Sequence, residues 1–195
     1  MLTLILGGAR SGKSRLAQQL AATAERVVYI ATLCAGDDPE MAARVERHRA
    51  ERPSSWQTVE EPLAVAGVVE RAAKECDAIL LDCLTLWLSN LFFEYRNQPG
   101  PESSNEYSND ARQQVEDAAH AQLQRIAAAA RQFRVILVSN ELGCGTVPEL
   151  ALTRDFRDTQ GLLNQWAAEA ADEVILTVAG LPLYLKTALR SKDAA

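Results

Sequence analysis

Short apolar runs alternate along the chain with longer stretches in which apolar residues recur at helical spacing. Several short runs are continuously apolar, as in strands that are buried on both faces of a sheet. The alternation predicts an α/β fold with a mostly parallel sheet flanked by helices. The predicted strands are Leu2 to Leu6, Val27 to Ala31, Gln57 to Val59, Ala78 to Asp82, Val135 to Ser139, Val174 to Val178 and a short antiparallel edge strand, Leu183 to Lys186, after a turn at Gly180–Pro182.

Helices are predicted between these strands. The longest has one apolar stripe, in which Val115, Ala119, Leu123 and Ile126 follow one another at spacings of three and four. Residues 97–110 contain almost no apolar side chain, and we interpret them as a mobile loop within a single domain of residues 1–195. The predicted helices are Ser14 to Glu25, Pro39 to Arg52, Pro62 to Glu75, Leu84 to Phe93, Ala111 to Phe133 and Phe156 to Ala171.

Composition and charge narrow the range of possible functions. The 195 residues carry 20 Lys and Arg against 26 Asp and Glu, a net charge of −6, so no global basic field is available to bind a nucleic acid. No apolar stretch is long enough to span a membrane, and the N-terminus lacks the basic region of a signal peptide, which predicts a soluble cytoplasmic protein. The four cysteines show no zinc spacing, and we expect Cys76 and Cys83 to be buried free thiols.

A phosphate-binding loop follows the first predicted strand. The sequence GGARSGKS matches the motif G-x-x-x-x-G-K-[ST] and is followed by a predicted helix. Its glycines allow backbone N–H groups to approach phosphate oxygens, and Lys13 is expected to reach the β- and γ-phosphates. The predicted fold is therefore like that of P-loop NTPases. The nucleotide-binding residues of this loop are Gly7, Gly8, Ala9, Arg10, Ser11, Gly12, Lys13 and Ser14.

A carboxylate ends a second buried strand. Asp82 follows the apolar run Ile79 to Leu81, the position from which it could hold Mg²⁺ together with the hydroxyl of Ser14. The alternative is that Asp82 caps the next helix.

His48 lies among arginines. It follows Met41 by seven positions and Val45 by three, so it continues the apolar stripe of its predicted helix. Arg44 and Arg52 lie four residues to either side, and nearby cations favour a neutral imidazole that could act as a nucleophile. From the residues alone, a solvated basic face with an incidental histidine stays open. The other histidine, His120, is interpreted as a helix residue beside the core stripe.

Taken together, these stretches resemble the bifunctional adenosylcobinamide kinase/adenosylcobinamide-phosphate guanylyltransferase family of cobalamin biosynthesis. The resemblance extends in order over nearly the whole chain. It rests on GGARSGKSRLA, VVYIAT, DDPEMAARVERHRAERPSSWQTVE, ILLDCLTLWLSNL, VSNELGCGTVPE and RDFRDTQGLLNQ. The chain has an extra residue near Pro39, and the loop at 97–110 matches nothing in the family pattern.

The resemblance implies two reactions. A nucleoside triphosphate, ATP or GTP, would phosphorylate adenosylcobinamide, and GTP would then guanylylate His48, which passes GMP to that phosphate with release of pyrophosphate. It also implies a homotrimer. The further GTP-binding positions that it implies are Thr32, Leu33, Cys34, Arg49, Ala50, Glu51, Arg52, Glu60 and Asp82.

The corrinoid contacts are less constrained by the sequence. Asn140 and Glu141 follow a strand's carboxyl end, where open α/β sheets bind ligands, and Arg154, Arg157 and Asp158 add charge soon after. Helix capping and ion pairing are equally open for each of them.

Two other functions remain as alternatives. One is a different small P-loop metabolite kinase in which His48 is incidental. The other is a nucleotide-dependent switch, although the block at Ser139 to Leu142 lacks the lysine and aspartate of the usual guanine-reading motif.

Overall fold

The structure, a computed structural model, describes residues 1–33, 46, 49, 52–96 and 109–187. Strands and helices alternate along most of this part of the chain. The elements are β1 (Leu2–Gly7), α1 (Lys13–Ala21), β2 (Val27–Ala31), β3 (Gln57–Glu60), α2 (Val65–Ala72), β4 (Ala78–Asp82), α3 (Leu84–Arg96), α4 (Asn109–Ala129), β5 (Arg134–Asn140), α5 (Ala151–Ala170), β6 (Glu173–Val178) and β7 (Leu181–Lys186).

The strands form one seven-stranded sheet in the order β3-β2-β4-β5-β1-β6-β7. The pairs are parallel from β3 to β6, and β7 is antiparallel to β6 at the edge. The predicted fold class, including the antiparallel edge strand, is thereby confirmed. The edge strand begins at Leu181, so Pro182 lies within it rather than in the turn.

Both faces of the sheet are covered. In β1, Leu4 packs into a core shared with α2, α3, α4 and α5, whereas Ile5 packs against Ala17 and Ala21 of α1. This alternation explains why the central strands read as continuous apolar runs. The parallel pairing places the carboxyl ends of the strands from β3 to β6 at one edge of the sheet, where the loops that follow them meet.

The long helix α4 bears out the predicted stripe, since Val115, Ala119, Leu123 and Ile126 are all buried. Its ends differ from the prediction. The helix already includes Asn109 and Asp110, which we expected in the loop, while residues 97–108 lie outside the described part. At the other end the helix stops at Ala129 rather than Phe133, and the Met1 amino group donates to the carbonyls of Ala130 and Phe133, which holds the chain in a turn before β5.

The start of α5 was predicted too late. The helix begins at Ala151 rather than Phe156, after Leu150, whose side chain makes no capping hydrogen bond. Arg154, in the first turn of the helix, instead donates hydrogen bonds to the carbonyls of Pro148 and Glu149. Because its first turn has neither a polar cap nor a full apolar stripe, the sequence pattern gave no signal for it.

Two further helices are shorter than predicted. Helix α1 ends at Ala21 rather than Glu25, since Thr23 and Arg134 donate hydrogen bonds to the carbonyl of Leu20. Helix α2 begins at Val65 and ends at Ala72, although we expected Pro62 to Glu75. Glu61 accepts hydrogen bonds from the backbone N–H groups of Leu63 and Ala64, which holds a turn ahead of the helix.

Helix α3 extends to Arg96, three residues beyond the predicted end. Of the predicted helix Pro39 to Arg52, only Glu46, Arg49 and Arg52 are described, so it stays a prediction. Within the described ranges, no helix combines the length and the apolar character needed to cross a membrane.

Candidate active site

The phosphate-binding loop joins β1 to α1 at the carboxyl edge of the sheet. Gly7, at the end of β1, is opposite Asn140 of β5, and the N–H of Glu141 donates to the Gly7 carbonyl across 3.1 Å. Asp82 ends β4 on the other side of β5, opposite Val138. The predicted phosphate loop and the predicted metal-binding carboxylate therefore follow the two strands that flank β5, at the same edge of the sheet.

Two glycines in this loop occupy positions that a side chain would disturb. Gly12 has φ +96°, in the left-handed region. A Cβ at Gly7 would lie 2.7 Å from the carbonyl oxygen of Thr177, closer than packed atoms approach. The Lys13 ammonium donates to the Gly8 carbonyl at 3.1 Å, so in this structure it rests over the loop. Helix α1 begins at Lys13, and its first N–H groups supply the partial positive charge that anions seek.

Asp82 is held by a buried tyrosine. The Tyr29 hydroxyl of β2 donates to Asp82 Oδ2 at 3.0 Å, and the guanidinium carbon of Arg52 lies 3.4 Å from the centroid of the tyrosine ring. Burial raises the pKa of Tyr29, and Asp82 raises it further, while Arg52 opposes the shift. The hydroxyl therefore keeps its proton and can donate to the carboxylate. Tyr29 gave no signal in the sequence, because an aromatic residue within an apolar strand looks like ordinary core.

Thr32 is fully buried and binds backbone rather than solvent. Its hydroxyl donates to the Cys83 carbonyl at 2.8 Å and accepts from the Cys83 N–H at 2.9 Å, which ties the end of β2 to the start of α3. The Asn90 side chain donates to the Thr32 carbonyl at 2.7 Å. Burial, and then Asp82, raise the pKa of the Cys83 thiol to about 11, so it stays protonated. Cys76 and Cys83 are buried free thiols, as predicted.

Asn140 is positioned by a network that the sequence analysis missed. Its N–H donates to the Thr85 hydroxyl at 2.9 Å, and its carbonyl accepts from Asn164 of α5 at 3.0 Å. Asn164 in turn accepts hydrogen bonds from Ser139 and Gln160. The side-chain oxygen Oδ1 of Asn140 is buried and has no partner in the described structure. An unpaired buried oxygen of this kind is suited to a donor on a ligand or a water molecule.

The other predicted substrate contacts bind within their own segment. Glu141 Oε1 accepts from the Gly143 N–H at 2.5 Å. Arg154 donates to two carbonyls of the preceding loop, and Arg157 pairs with the adjacent Asp158 at 3.2 Å. The Arg157–Asp158 contact corresponds to the ion-pair alternative that the sequence left open, whereas Glu141 and Arg154 bind loop backbone.

The remaining predicted positions are spread along the site. Leu33 follows Thr32 and is half-buried, and Glu60 is exposed at the end of β3, opposite Ala31. Arg49 is exposed and lies 3.8 Å from Glu46. The positions outside the described residues are His48, Cys34, Ala50 and Glu51.

The fold and the loop define a P-loop NTPase-like α/β protein, and solved structures agree. The chain aligns with a prototypical ATPase from the type III secretion system of pathogenic bacteria, with a TM-score of 0.56 and 12% identity over 94% of this chain and 56% of that one. It also aligns with the type III secretion ATPase EscN of enteropathogenic E. coli, with a TM-score of 0.51 and 12% identity over 91% of this chain and 43% of that one. At this identity the likeness concerns the fold alone, and the chain spans about half the length of those ATPases.

The chain belongs to the cobinamide kinase / cobinamide phosphate guanyltransferase family, which it matches over residues 3–185. It is 46% identical to the bifunctional adenosylcobalamin biosynthesis protein CobP of Pseudomonas aeruginosa, over 95% of this chain and 98% of the relative. It is 42% and 41% identical to the CobU proteins of Escherichia coli and Salmonella typhimurium, over 95% of this chain and all of each relative. The family predicted from the sequence, with its kinase and guanylyltransferase activities, is confirmed over the two alternatives.

Proposed function

We propose that this chain phosphorylates adenosylcobinamide and then guanylylates the product. In the first reaction the hydroxyl of the aminopropanol arm attacks the γ-phosphorus of ATP or GTP, and a nucleoside diphosphate leaves. In the second, His48 attacks the α-phosphorus of GTP and pyrophosphate leaves. The new phosphate on the corrinoid then displaces His48, giving adenosylcobinamide-GDP and the free histidine.

The observation that carries the proposal is a complete phosphate-binding loop at the same sheet edge as Asp82, in a chain that matches the family over residues 3–185. Phosphoryl transfer depends mainly on positioning and charge neutralisation. The loop amides and the start of α1 hold the phosphates, and Lys13 moves from the Gly8 carbonyl to the β- and γ-phosphates when a nucleotide binds.

Ser14 and Asp82 fit a magnesium ion that arrives with the nucleotide. Mg²⁺ prefers hard oxygen ligands and is usually bound by one or two protein groups together with substrate phosphates. A hydroxyl at the start of α1 and a carboxylate at the end of β4 are such groups. When bound, the ion neutralises charge on the phosphates. The Ser14 hydroxyl and the Asp82 carboxylate would hold it beside the bound phosphates.

The arginines around His48 have two tasks in this proposal. They favour a neutral imidazole, which is required for attack on phosphorus, and they hold the triphosphate. A phosphorus–nitrogen bond to imidazole is labile enough for the second acceptor to displace it. The residues assigned to the GTP pocket in addition to the loop are Thr32, Leu33, Cys34, Arg49, Ala50, Glu51, Arg52, Glu60 and Asp82.

The corrinoid is proposed to bind beside β5. The unpaired Oδ1 of Asn140 supports a contact with a donor of the substrate. Glu141, Arg154, Arg157 and Asp158 shape the loop and the first turns of α5 that border this position.

We further propose that the chain forms a homotrimer and acts in the cytoplasm, where its nucleoside triphosphates are available. The support for self-association is β7, on which Leu181, Leu183 and Leu185 are each more than half exposed. Contiguous apolar surface of this kind is typical of protein interfaces. In such an assembly, the His48 segment of one subunit could complete the site of its neighbour.

The guanylyl step is tested with GTP labelled on the α-phosphate. We expect the protein to become labelled, the label to survive alkali and to be lost in mild acid, and His48→Ala to abolish it. His120→Ala is the matched control, because the His120 ring packs 4.6 Å from the Trp166 ring, away from the phosphate loop. A His48→Ala protein that still joins GMP to the corrinoid at the parent rate would overturn the proposal.

A further inference from the structure

Tyr29 lies between two groups that the proposed function assigns to the nucleotide. It occupies the middle of β2, and only 2% of its surface is exposed. On the neighbouring strand, Asp82 is opposite Ala31, two residues beyond Tyr29. Side chains two residues apart on a strand share a face, so Tyr29 and Asp82 lie diagonally on the same face of the sheet. The tyrosine hydroxyl reaches Asp82 Oδ2 at 3.0 Å.

Arg52 packs on the ring of the same tyrosine. The guanidinium carbon is 3.4 Å from the ring centroid, within the range of a cation–π contact. Arg52 is half-buried, and its Nε is buried without a hydrogen-bond partner in the described structure. The aromatic face therefore contributes to holding the guanidinium at this position.

We propose that Tyr29 is a positioning residue that couples Asp82 to Arg52. Its hydroxyl fixes one oxygen of the Asp82 carboxylate and so turns the other towards the phosphate loop. Its ring fixes the end of the segment that contains His48. The inference rests on the proposed function in so far as Asp82 and Arg52 bind the nucleotide. It adds that one buried side chain, Tyr29, contacts both the strand end at Asp82 and the segment that ends at Arg52.

Two substitutions separate the two contacts. Tyr29→Phe keeps the ring, and with it the Arg52 contact, but removes the hydrogen bond to Asp82. Tyr29→Leu removes both. Tyr95→Phe, on α3 and packed partly into the core, is the matched loss of a hydroxyl elsewhere.

The measurement is the affinity for a non-hydrolysable GTP analogue by titration calorimetry, with Mg²⁺ and with the metal chelated. Loss of a group that orients a metal ligand weakens metal binding about tenfold or more. We therefore expect Tyr29→Phe to lose most of the affinity gained on adding Mg²⁺ and to keep the metal-free affinity. Tyr29→Leu should weaken both, and Tyr95→Phe neither. Tyr29→Phe in an Asp82→Asn background should change nothing further, because the hydroxyl acts through that carboxylate.

The inference is overturned if Tyr29→Phe leaves the magnesium dependence of the affinity unchanged. It is also overturned if Tyr29→Phe lowers the affinity as much in the Asp82→Asn background as in the parent protein. Should Tyr29→Phe not fold, the contact is tested in the intact protein labelled with 3-fluorotyrosine. Asp82→Asn should then shift the fluorine resonance of residue 29, and Glu60→Gln should not. An unmoved resonance also overturns it. Failure of the proposed function would show separately, as absence of adenosylcobinamide turnover in a parent protein that binds the analogue normally.

Discussion

The N–H of Gly180 donates a hydrogen bond to the Ser11 carbonyl at 2.8 Å, so the turn between β6 and β7 lies against the phosphate-binding loop. Ala179 and Gly180 both have positive φ, 51° and 82°, as a two-residue hairpin turn requires. The same turn approaches Gly12, where a Cβ would lie 3.1 Å from the Gly180 Cα. The edge hairpin thus supports the loop that is expected to hold the triphosphate.

Gly7→Ala should destabilise the protein, because its methyl group would lie 2.7 Å from the Thr177 carbonyl oxygen. Forcing a methyl group into a packed site costs about 1–3 kcal/mol. Gly8→Ala is the control, since a Cβ there meets nothing within 4 Å. Urea denaturation should show a lower midpoint for Gly7→Ala and a change of no more than about 0.5 kcal/mol for Gly8→Ala. Equal midpoints for the two variants would contradict the geometry of the loop.

Lys13→Ala should slow phosphorylation of adenosylcobinamide. The lost ammonium is one of the groups proposed to stabilise charge on the transferring phosphoryl group, and removing one such donor costs about 10²–10³-fold in kcat. Arg15→Ala is the control, since it removes a cation two residues further along α1, where the side chain is exposed. The rate of nucleoside diphosphate release, measured with saturating substrates, should fall for Lys13→Ala and stay at the parent value for Arg15→Ala. A Lys13→Ala rate within threefold of the parent would remove the lysine from the mechanism.

The sequence predicted the parts of the fold that depend on local pattern. All seven strands and the phosphate-binding loop were predicted, because buried parallel strands are continuously apolar and the loop needs glycine at fixed positions. Helix ends were less accurate. The start of α5 is held by Arg154 bonds to a preceding loop, and the end of α4 by the Met1 amino group, which lies far away in sequence. Neither contact leaves a local signal.

The candidate site shows the same division. Gly7 and Asp82 were predicted, since each has a strand end or a motif to mark it. Tyr29 and Asn164 were missed, because their roles arise only when β2 pairs with β4 and when α5 packs beside β5. Register and helix packing are properties of the tertiary structure, and no spacing along the chain encodes them.

Asp77 should contribute stability that depends on pH. Its hydrogen bonds with the side chain and the backbone N–H of Arg26 lower its pKa from the ordinary value of 3.8. A carboxylate with a lowered pKa in the folded state stabilises the protein fully above its unfolded pKa, and the contribution is lost as the pH falls through the folded value. Asp77→Asn should therefore have a lower Tm than the parent at neutral pH, and the gap should close below about pH 3.8.

The comparison uses thermal melts of both proteins from about pH 7 to pH 3. Arg26→Gln is the second variant, because it removes the partner and should give the same pH dependence from the other side of the pair. Both groups are exposed, so the difference should also shrink with added salt. A gap that stays constant over the whole pH range would show that the pair does not set it.

The exposed leucines of β7 should decide the oligomeric state. Leu181 and Leu183 lie two residues apart and so share one face of the strand, where they are 71% and 55% exposed, and Leu185, at the register shift near the end of β7, is 56% exposed. Introducing a carboxylate at Leu183 and Leu185 would require its desolvation in an interface, whereas in an isolated chain it would stay in water. Light scattering should give a mass of three 21.3 kDa chains for the parent and of one chain for the doubly substituted Leu183→Asp, Leu185→Asp protein. Leu150→Asp, at a leucine that is more exposed than either but lies outside β7, should stay trimeric. A substituted protein that keeps the parent mass would place the interface elsewhere, and the leucines of β7 would then need another partner.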